Sequence, residues 1–411
     1  MTDSGVPYPF LVLTVGGIVL LTMFIKSCLA RIRVPALVGF LLLGIGVRAA
    51  DMQWQLLASG TGEILGFLSK IGLITLLFRV GLESNLAGLL KQLKTASMVW
   101  VGDVGLTFLI GFAAAVYLIG LPWIPGMIVG TALTATSVGI SVAVWDEADA
   151  LQSPNGELLL DVAEMDDISA IVLMAVLFAI LPQLQGNAAG HGGLGAVIGT
   201  TAAVFLAKLV GFGLFCVLFS LYAERPITAY FRNLDPPPDF MLVVVSVGFV
   251  IAALADLSGF SMAIGAFFAG IVFSRDPAAV KQEGSFIPLY EFFSPFFFIG
   301  IGIGVDPSTL GEALGLGAVL VGVALATKLL ADGLPTWLLR GGPSALLIGA
   351  SMVPRAEIAM VIMERGAALG EWAVPPPVFS AMVLVSIVTC IASPLTVRSL
   401  LQRWPQQGEG R

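Results

Sequence analysis

The chain has 411 residues, of which 57% are hydrophobic and only 11% charged, and its mean hydropathy is +0.98. A soluble globular domain carries about 25% charged residues, so composition excludes one and predicts an all-α integral membrane protein. The net charge of −7 offers no basic face to nucleic acid, and one histidine, His191 in a Gly-rich loop, cannot build a metal centre by itself.

Apolar runs of about 20 residues recur along nearly the whole length, each long enough to cross a ~30 Å hydrocarbon core. They predict about thirteen spans, centred near Gly17, Leu42, Leu73, Leu109, Thr134, Ser169, Lys208, Val247, Phe267, Phe296, Lys328, Arg355 and Ser386. The second and ninth are short. Met1 to Pro9 carry neither a basic patch nor a small-residue cleavage site, so the first span is read as retained. The stretch from Ala223 to Asp239, with Pro236-Pro237-Pro238, reads as a loop, and no segment reads as a soluble domain. Glycine is abundant, with 48 residues, as suits close helix approach in lipid. Cys28, Cys216 and Cys390 lie scattered in apolar runs and read as packing residues, not as a disulfide framework.

Loop charges orient the bundle. With the N-terminus outside, the inner loops hold Arg31, Arg33, Lys91, Lys94, Arg225, Arg232, Arg275, Lys281, Arg340, Arg398, Arg403 and Arg411. The outer loops then hold only Arg48 and Arg365. This asymmetry predicts an external N-terminus and a cytoplasmic C-terminus.

Three segments recur in order, about 220 residues apart. Pro35 to Val47 resembles Met262 to Phe273, pairing Gly39 with Gly265 and Gly44 with Gly270. Leu77 to Leu86 resembles Gly300 to Leu310, and Gly130 to Val144 resembles Gly349 to Met363. The copies begin at the first and eighth spans, and an odd offset makes the second run the opposite way. The expectation is two inverted-topology six-helix repeats, about 8–185 and 239–402, joined by a linker helix near 192–222. Such repeats build secondary transporters, with the substrate near the midplane. In the third pair, Thr134-Ala135-Thr136-Ser137-Val138-Gly139 interrupts one span and Val353-Pro354-Arg355-Ala356-Glu357 the other. Proline removes a donor and breaks a helix, so two crossed, discontinuous helices are expected at the binding site. The plainer alternative is a Ser/Thr packing face and a simple proline kink.

Ionisable groups in hydrocarbon need partners or a wet cavity. The sixth span carries Glu157, Asp161, Glu164, Asp166 and Asp167. Four of them, Glu157, Asp161, Glu164 and Asp167, are spaced to share one helical face. With Asp146, Glu147 and Asp149 in the preceding loop they form a negative funnel that draws cations from the cytoplasm. Asp166 and Asp167 stand about ten residues into the span, roughly 15 Å deep. Adjacent buried carboxylates repel one another and lose solvation. Either a proton or a hard cation can neutralise them, and one site with two exclusive occupants is the basis of exchange. Lys328, midway along its span, is the expected counter-ion of Asp166. Lys70, Arg79, Glu83, Asp103, Lys208 and Asp256 are left without an assigned partner.

The ordered set Thr134-Ala135-Thr136-Ser137-Val138-Gly139, Asp166-Asp167, Lys328 and Pro354-Arg355-Ala356-Glu357 resembles the monovalent cation:proton antiporter-2 family. It is most similar to the NapA-like sodium/proton exchangers, and the resemblance covers essentially the whole chain. It implies Asp167 as principal ion and proton carrier and Asp166 as the partner of Lys328. Thr134, Ala135, Thr136 and Ser137 would lie at the helix crossover, matched there by Pro354, Arg355 and Glu357. It further implies a homodimer in the cell membrane, a bacterial inner membrane, with an ion-binding bundle moving against a dimerisation domain in an elevator-like cycle. Transported sodium, lithium or potassium and protons are the only ligands implied, with no cofactor and no enzyme activity. Ala356 stands where family members often have glycine. Gated potassium-efflux relatives usually show Gln-Asp in place of Asp166-Asp167 and carry a soluble regulatory domain, which this sequence lacks. Both points favour an ungated, electrogenic sodium-type exchanger over a gated potassium system, with a potassium/proton antiporter of the same family as the alternative.

Other classes fit less well. An intramembrane aspartyl protease needs aspartates from two helices, and Asp166 and Asp167 are adjacent on one. A sodium-coupled organic-anion symporter would need an anion pocket, against which the acidic funnel argues. A pure channel does not call for two broken helices.

Overall fold

A computed structural model describes residues 8–54, 59–83, 86–186, 194–234, 239–274 and 283–406. His191, Pro236-Pro237-Pro238, Arg275, Lys281 and Arg411 lie outside the described residues. All regular elements among the described residues are helical. In chain order they are α1 (Tyr8–Arg31), α2 (Ala36–Trp54), α3 (Ser59–Glu83), α4 (Leu86–Ala113), α5 (Trp123–Thr134), α6 (Val138–Glu147), α7 (Pro154–Gly186), α8 (Leu194–Leu218), α9 (Glu224–Arg232), α10 (Phe240–Leu257), α11 (Met262–Ser274), α12 (Glu283–Ile303), α13 (Leu310–Ala331), α14 (Gly333–Arg340), α15 (Gly342–Ser351), α16 (Glu357–Ala368) and α17 (Pro376–Arg403). Single π-turns, Ala114–Leu118 and Phe219–Ala223, extend α4 and α8.

Among the described residues, eleven helical stretches are long and apolar enough to cross a membrane. All thirteen predicted centres fall on a helix or at a break between two helices. The two outside those eleven stretches are α11, with 13 residues, and the interrupted pair α15–α16; the pair α5–α6 is interrupted as well. The Ala223–Asp239 loop differs from expectation, because it opens with the nine-residue helix α9. Glu224 in its first turn suits the positive helix end, and Thr228 Oγ1 donates to the Glu224 carbonyl.

The chain divides into two compact units. One comprises residues 58–85 and 174–297 with the first eight residues; the other comprises 9–57, 86–173 and 298–411. In the first unit, α3 packs tightly against α11. A methyl group added at Gly81 would overlap the Phe267 carbonyl, and one at Gly270 the Phe78 carbonyl. Gly265 lets α11 approach α10 at Ala252 and Ala255. Gly72 likewise meets the Phe293 backbone of α12.

The second unit repeats this device with different helices. Gly44 of α2 lies against the Ile299 carbonyl and Gly302 of α12, and Gly39 lies against Ile25 and Leu29 of α1. A core of Val99, Trp145, Leu158, Leu159, Val162, Leu347, Met352 and Val397 joins α4, α6, α7, α15 and α17. At the α14–α15 corner, Gly341 has φ +88°, a left-handed conformation that an L side chain rarely adopts.

Candidate ion-translocation site

The site lies within the second unit, where α5 and α15 both stop short. After Thr134 the chain turns extended at Ala135 and re-enters a helix at Val138. After Ser351 it leaves the helix through Val353 and Pro354 and resumes at Glu357. Proline supplies no N–H and disfavours a helical residue before it, so α15 cannot continue through Pro354. Each interruption leaves unsatisfied carbonyls on one half-helix and unsatisfied N–H groups on the next.

The two interruptions satisfy one another. Ser137 N–H donates to the Pro354 carbonyl at 2.9 Å. Arg355, fully buried, donates from Nη1 to the Ala135 carbonyl at 2.8 Å, to Thr136 Oγ1 at 3.0 Å and to the Met352 carbonyl at 3.2 Å. One guanidinium thus sits at the carbonyl ends of both α5 and α15, where helix dipoles place negative charge. Glu357 accepts a short hydrogen bond from Ser137 Oγ, which puts a carboxylate at the N–H ends of both α6 and α16. Three further backbone groups are met from α6 and α17. Thr389 Oγ1 accepts from Arg355 N–H, Ser393 Oγ donates to the Ala350 carbonyl, and Ser141 Oγ donates to the Ser351 carbonyl at 2.6 Å. Thr134 bonds inside its own helix, to the Thr131 carbonyl. Of the crossover residues expected from sequence, Ala135, Thr136 and Ser137 are thus brought together with Pro354, Arg355 and Glu357, while Thr134 closes its own helix.

The acidic helix is α7. Glu157 is exposed, and Asp161, Glu164 and Asp167 are half-buried on a single face, with Leu158, Leu159, Val162 and Ala163 buried beside them. Asp166 points elsewhere and is fully buried. Its partner is Lys328 on α13, as expected, with Nζ to Oδ2 at 3.6 Å. That distance is an ion pair without a hydrogen bond, and neither Asp166 oxygen has a hydrogen-bond partner among the described residues.

Sequence reasoning missed the residue that Lys328 holds most closely. Both oxygens of Asp103 on α4 lie 2.5 Å from Nζ, and Asp103 Oδ1 also accepts from Thr107 Oγ1 at 3.0 Å. Asp332, at the end of α13, lies 3.8 Å away. All four groups are fully buried. The available signal was one of count: a lone aspartate inside an apolar span needs a cation, and few cations lie at depth. Asp332 stands one helical turn after Lys328, within reach by i,i+4 spacing. Of the other unassigned charges, Arg79 pairs with Glu83 at 2.7 Å and lies over the Tyr290 ring.

A multi-span helical protein with two interrupted helices, a buried lysine–carboxylate cluster and a half-buried acidic stripe is built to carry small cations across a membrane. The chain belongs to the sodium/hydrogen exchanger transmembrane family, whose model covers residues 17–403, and it is a cation/proton antiporter. The chain is 28% identical to the high-affinity Na(+)/H(+) antiporter NhaS3 of Synechocystis, over 85% of this chain and 74% of that one. It is also 28% identical to the Na(+)/H(+)-K(+) antiporter GerN of Bacillus cereus, over 92% of each. Its fold resembles that of the sodium proton antiporter MjNhaP1 of Methanocaldococcus jannaschii, with TM-score 0.68, 17% identity, and coverage of 99% of this chain and all of the other.

Proposed function

We propose that the chain exchanges sodium, or lithium, for protons electrogenically, with Asp167 as principal carrier and Asp166 beside it. The observation that carries this reading is the state of Asp166: fully buried, with no hydrogen bond to either oxygen, one residue from the half-buried Asp167. A desolvated carboxylate with bare oxygens is neutralised by a proton or by a hard cation, one at a time. The half-buried Asp161 and Glu164 supply a polar approach to it. The dipole-matched crossover gives a polar but charge-balanced wall through which a desolvated ion can pass. Two carboxylates move more than one proton per cation, so voltage contributes about 2.3 kcal/mol per net charge per 100 mV.

The mechanism is elevator-like alternating access by a homodimer, with the N-terminus outside and the C-terminus in the cytoplasm of a bacterial inner membrane. It is built on two inverted six-helix repeats, 8–185 and 239–402. The packing glycines support the duplication. Gly44 and Gly270 each seat against a helix backbone, and the partners of Gly81, Phe267 and Ile271, stand 226 residues after those of Gly302, Leu41 and Ile45. This pairs Gly81 with Gly302, two residues from where sequence similarity alone aligns it.

Reconstitution in liposomes with an imposed proton gradient and a pH-sensitive dye tests the function. Sodium and lithium are expected to drive proton movement that disappears in Asp167→Asn. Potassium is the second reading, favoured by the similarity to GerN, and the same assay distinguishes it. No proton movement with any of the three ions between about pH 6 and 9 sinks the exchanger reading.

A further inference from the structure

Lys328 has three carboxylates within ion-pair reach and does not share itself evenly among them. Asp103 takes two contacts of 2.5 Å, whereas the nearest oxygens of Asp166 and Asp332 stay at 3.6 and 3.8 Å. Thr107 steadies Asp103 from the same helix. The remaining charge facing the cluster, Arg355, is committed through Nη1 to the oxygens of the helix breaks. Asp166 is thereby left without a hydrogen bond from either cation.

An ammonium group and a monovalent cation are rivals for one carboxylate. Each offers a single positive charge, and a carboxylate hydrogen-bonded to lysine must surrender that bond before it can coordinate an ion. We propose that Asp103 is a positioning residue of the exchange site, holding the Lys328 ammonium off Asp166 so that the Asp166 oxygens stay available to the cation. The proposal rests on the reading that Asp166 and Asp167 bind the transported ion. It makes Asp103 the standing counter-ion of Lys328, with Asp166 a neighbour whose occupant changes.

The test is the split between cation KM and maximal rate in proteoliposomes. In Asp103→Asn the released ammonium turns to Asp166, the nearer remaining carboxylate, and competes with the cation. KM is expected to rise about tenfold or more, the effect of one competing interaction of ~1.4 kcal/mol. In Asp103→Asn/Lys328→Gln no ammonium remains to compete, so KM returns to the unmodified value or falls below it, whatever becomes of the maximal rate. An unchanged KM in Asp103→Asn overturns the proposal. So does a raised KM in the double variant, because Asp103 would then act without Lys328. If Asp103→Asn fails to assemble, judged by size exclusion in detergent, the charge-balanced double variant decides the matter by itself. Absence of any cation-driven proton movement in the unmodified protein would instead remove the exchanger reading beneath it.

Discussion

The first and second halves of the chain agree where backbones touch and differ where charge is handled. Gly44 of α2 and Gly270 of α11, related by the sequence repeat, each press against the carbonyl of another helix. Gly39 and Gly265 each admit the preceding helix. At the interruptions the resemblance ends. The first carries the neutral run Thr134-Ala135-Thr136-Ser137, and the second carries Arg355 and Glu357. The second half supplies both charges for both breaks, with Arg355 at two carbonyl ends and Glu357 at two N–H ends. Close backbone packing tolerates only glycine at these positions in either half. Helix-end electrostatics needs one cation and one anion for the pair of breaks, so a single copy suffices to provide them.

The sharpest way to break this division is at the shared cation. Arg355→Ala takes the guanidinium donor away from the Ala135 and Met352 carbonyls, at the ends of α5 and α15, in a fully buried setting. Removing one member of a buried charged network costs about 3–5 kcal/mol, so thermal unfolding in detergent should fall by many degrees and exchange should drop to background. Arg355→Lys keeps the charge but loses the planar fork that reaches Ala135, Thr136 and Met352 together. Its stability should lie between the two. If Arg355→Ala were as stable as the unmodified protein, the shared-cation account of the breaks would be wrong.

The glycine seams predict a smaller and symmetrical effect. Gly44→Ala and Gly270→Ala each force a methyl into backbone that cannot move aside, which costs about 1–3 kcal/mol by overpacking. Similar losses at the two sites would sharpen the equivalence of the halves; a large loss at one and none at the other would break it. Gly46→Ala is the control. Among the described residues nothing outside its own stretch of helix backbone lies within 4 Å of the added methyl, and a mid-helix alanine should hold or gain stability by up to about 1 kcal/mol.

These particulars show what could be read from the amino-acid order. Span positions follow from apolar length, and Pro354 and the hydroxyl run mark the breaks because proline removes a backbone donor and Ser/Thr side chains compete for backbone hydrogen bonds. The Glu157, Asp161, Glu164 and Asp167 stripe follows from helical spacing; Glu157 is exposed and the other three are half-buried. Lys328 lies beside Asp166 as expected. Its closer tie to Asp103 was not legible, because depth matching ranks carboxylates by height in the membrane and says nothing about which helix face meets which. Asp332 escaped notice for another reason: it stands at a helix end, where sequence suggests an interfacial, solvated carboxylate, and only tertiary packing buries it. The sharing of Arg355 between the breaks was equally hidden, since its partners are mostly backbone carbonyls that carry no sequence signature.

The finest test concerns the anionic side of the same arrangement. Ser137 and Glu357 are joined by one hydrogen bond between a hydroxyl and a carboxylate, and Ser137→Ala removes it without changing any charge. Hydrogen bonds to charged groups contribute about 1.5–3 kcal/mol when buried. Glu357 is half-buried, so part of that is returned by solvent, and the loss should be about 1 kcal/mol. The backbone link from Ser137 N–H to the Pro354 carbonyl is untouched, so the crossover should persist and exchange should continue at a reduced maximal rate. Glu357→Gln keeps a hydrogen-bonding group beside Ser137 but removes the negative charge from the N–H ends of α6 and α16. If charge at those ends matters more than the single bond, Glu357→Gln must be the more damaging of the two. The reverse order would mean that the hydroxyl contact, and not the helix dipoles, fixes where the second half lends its anion to the first.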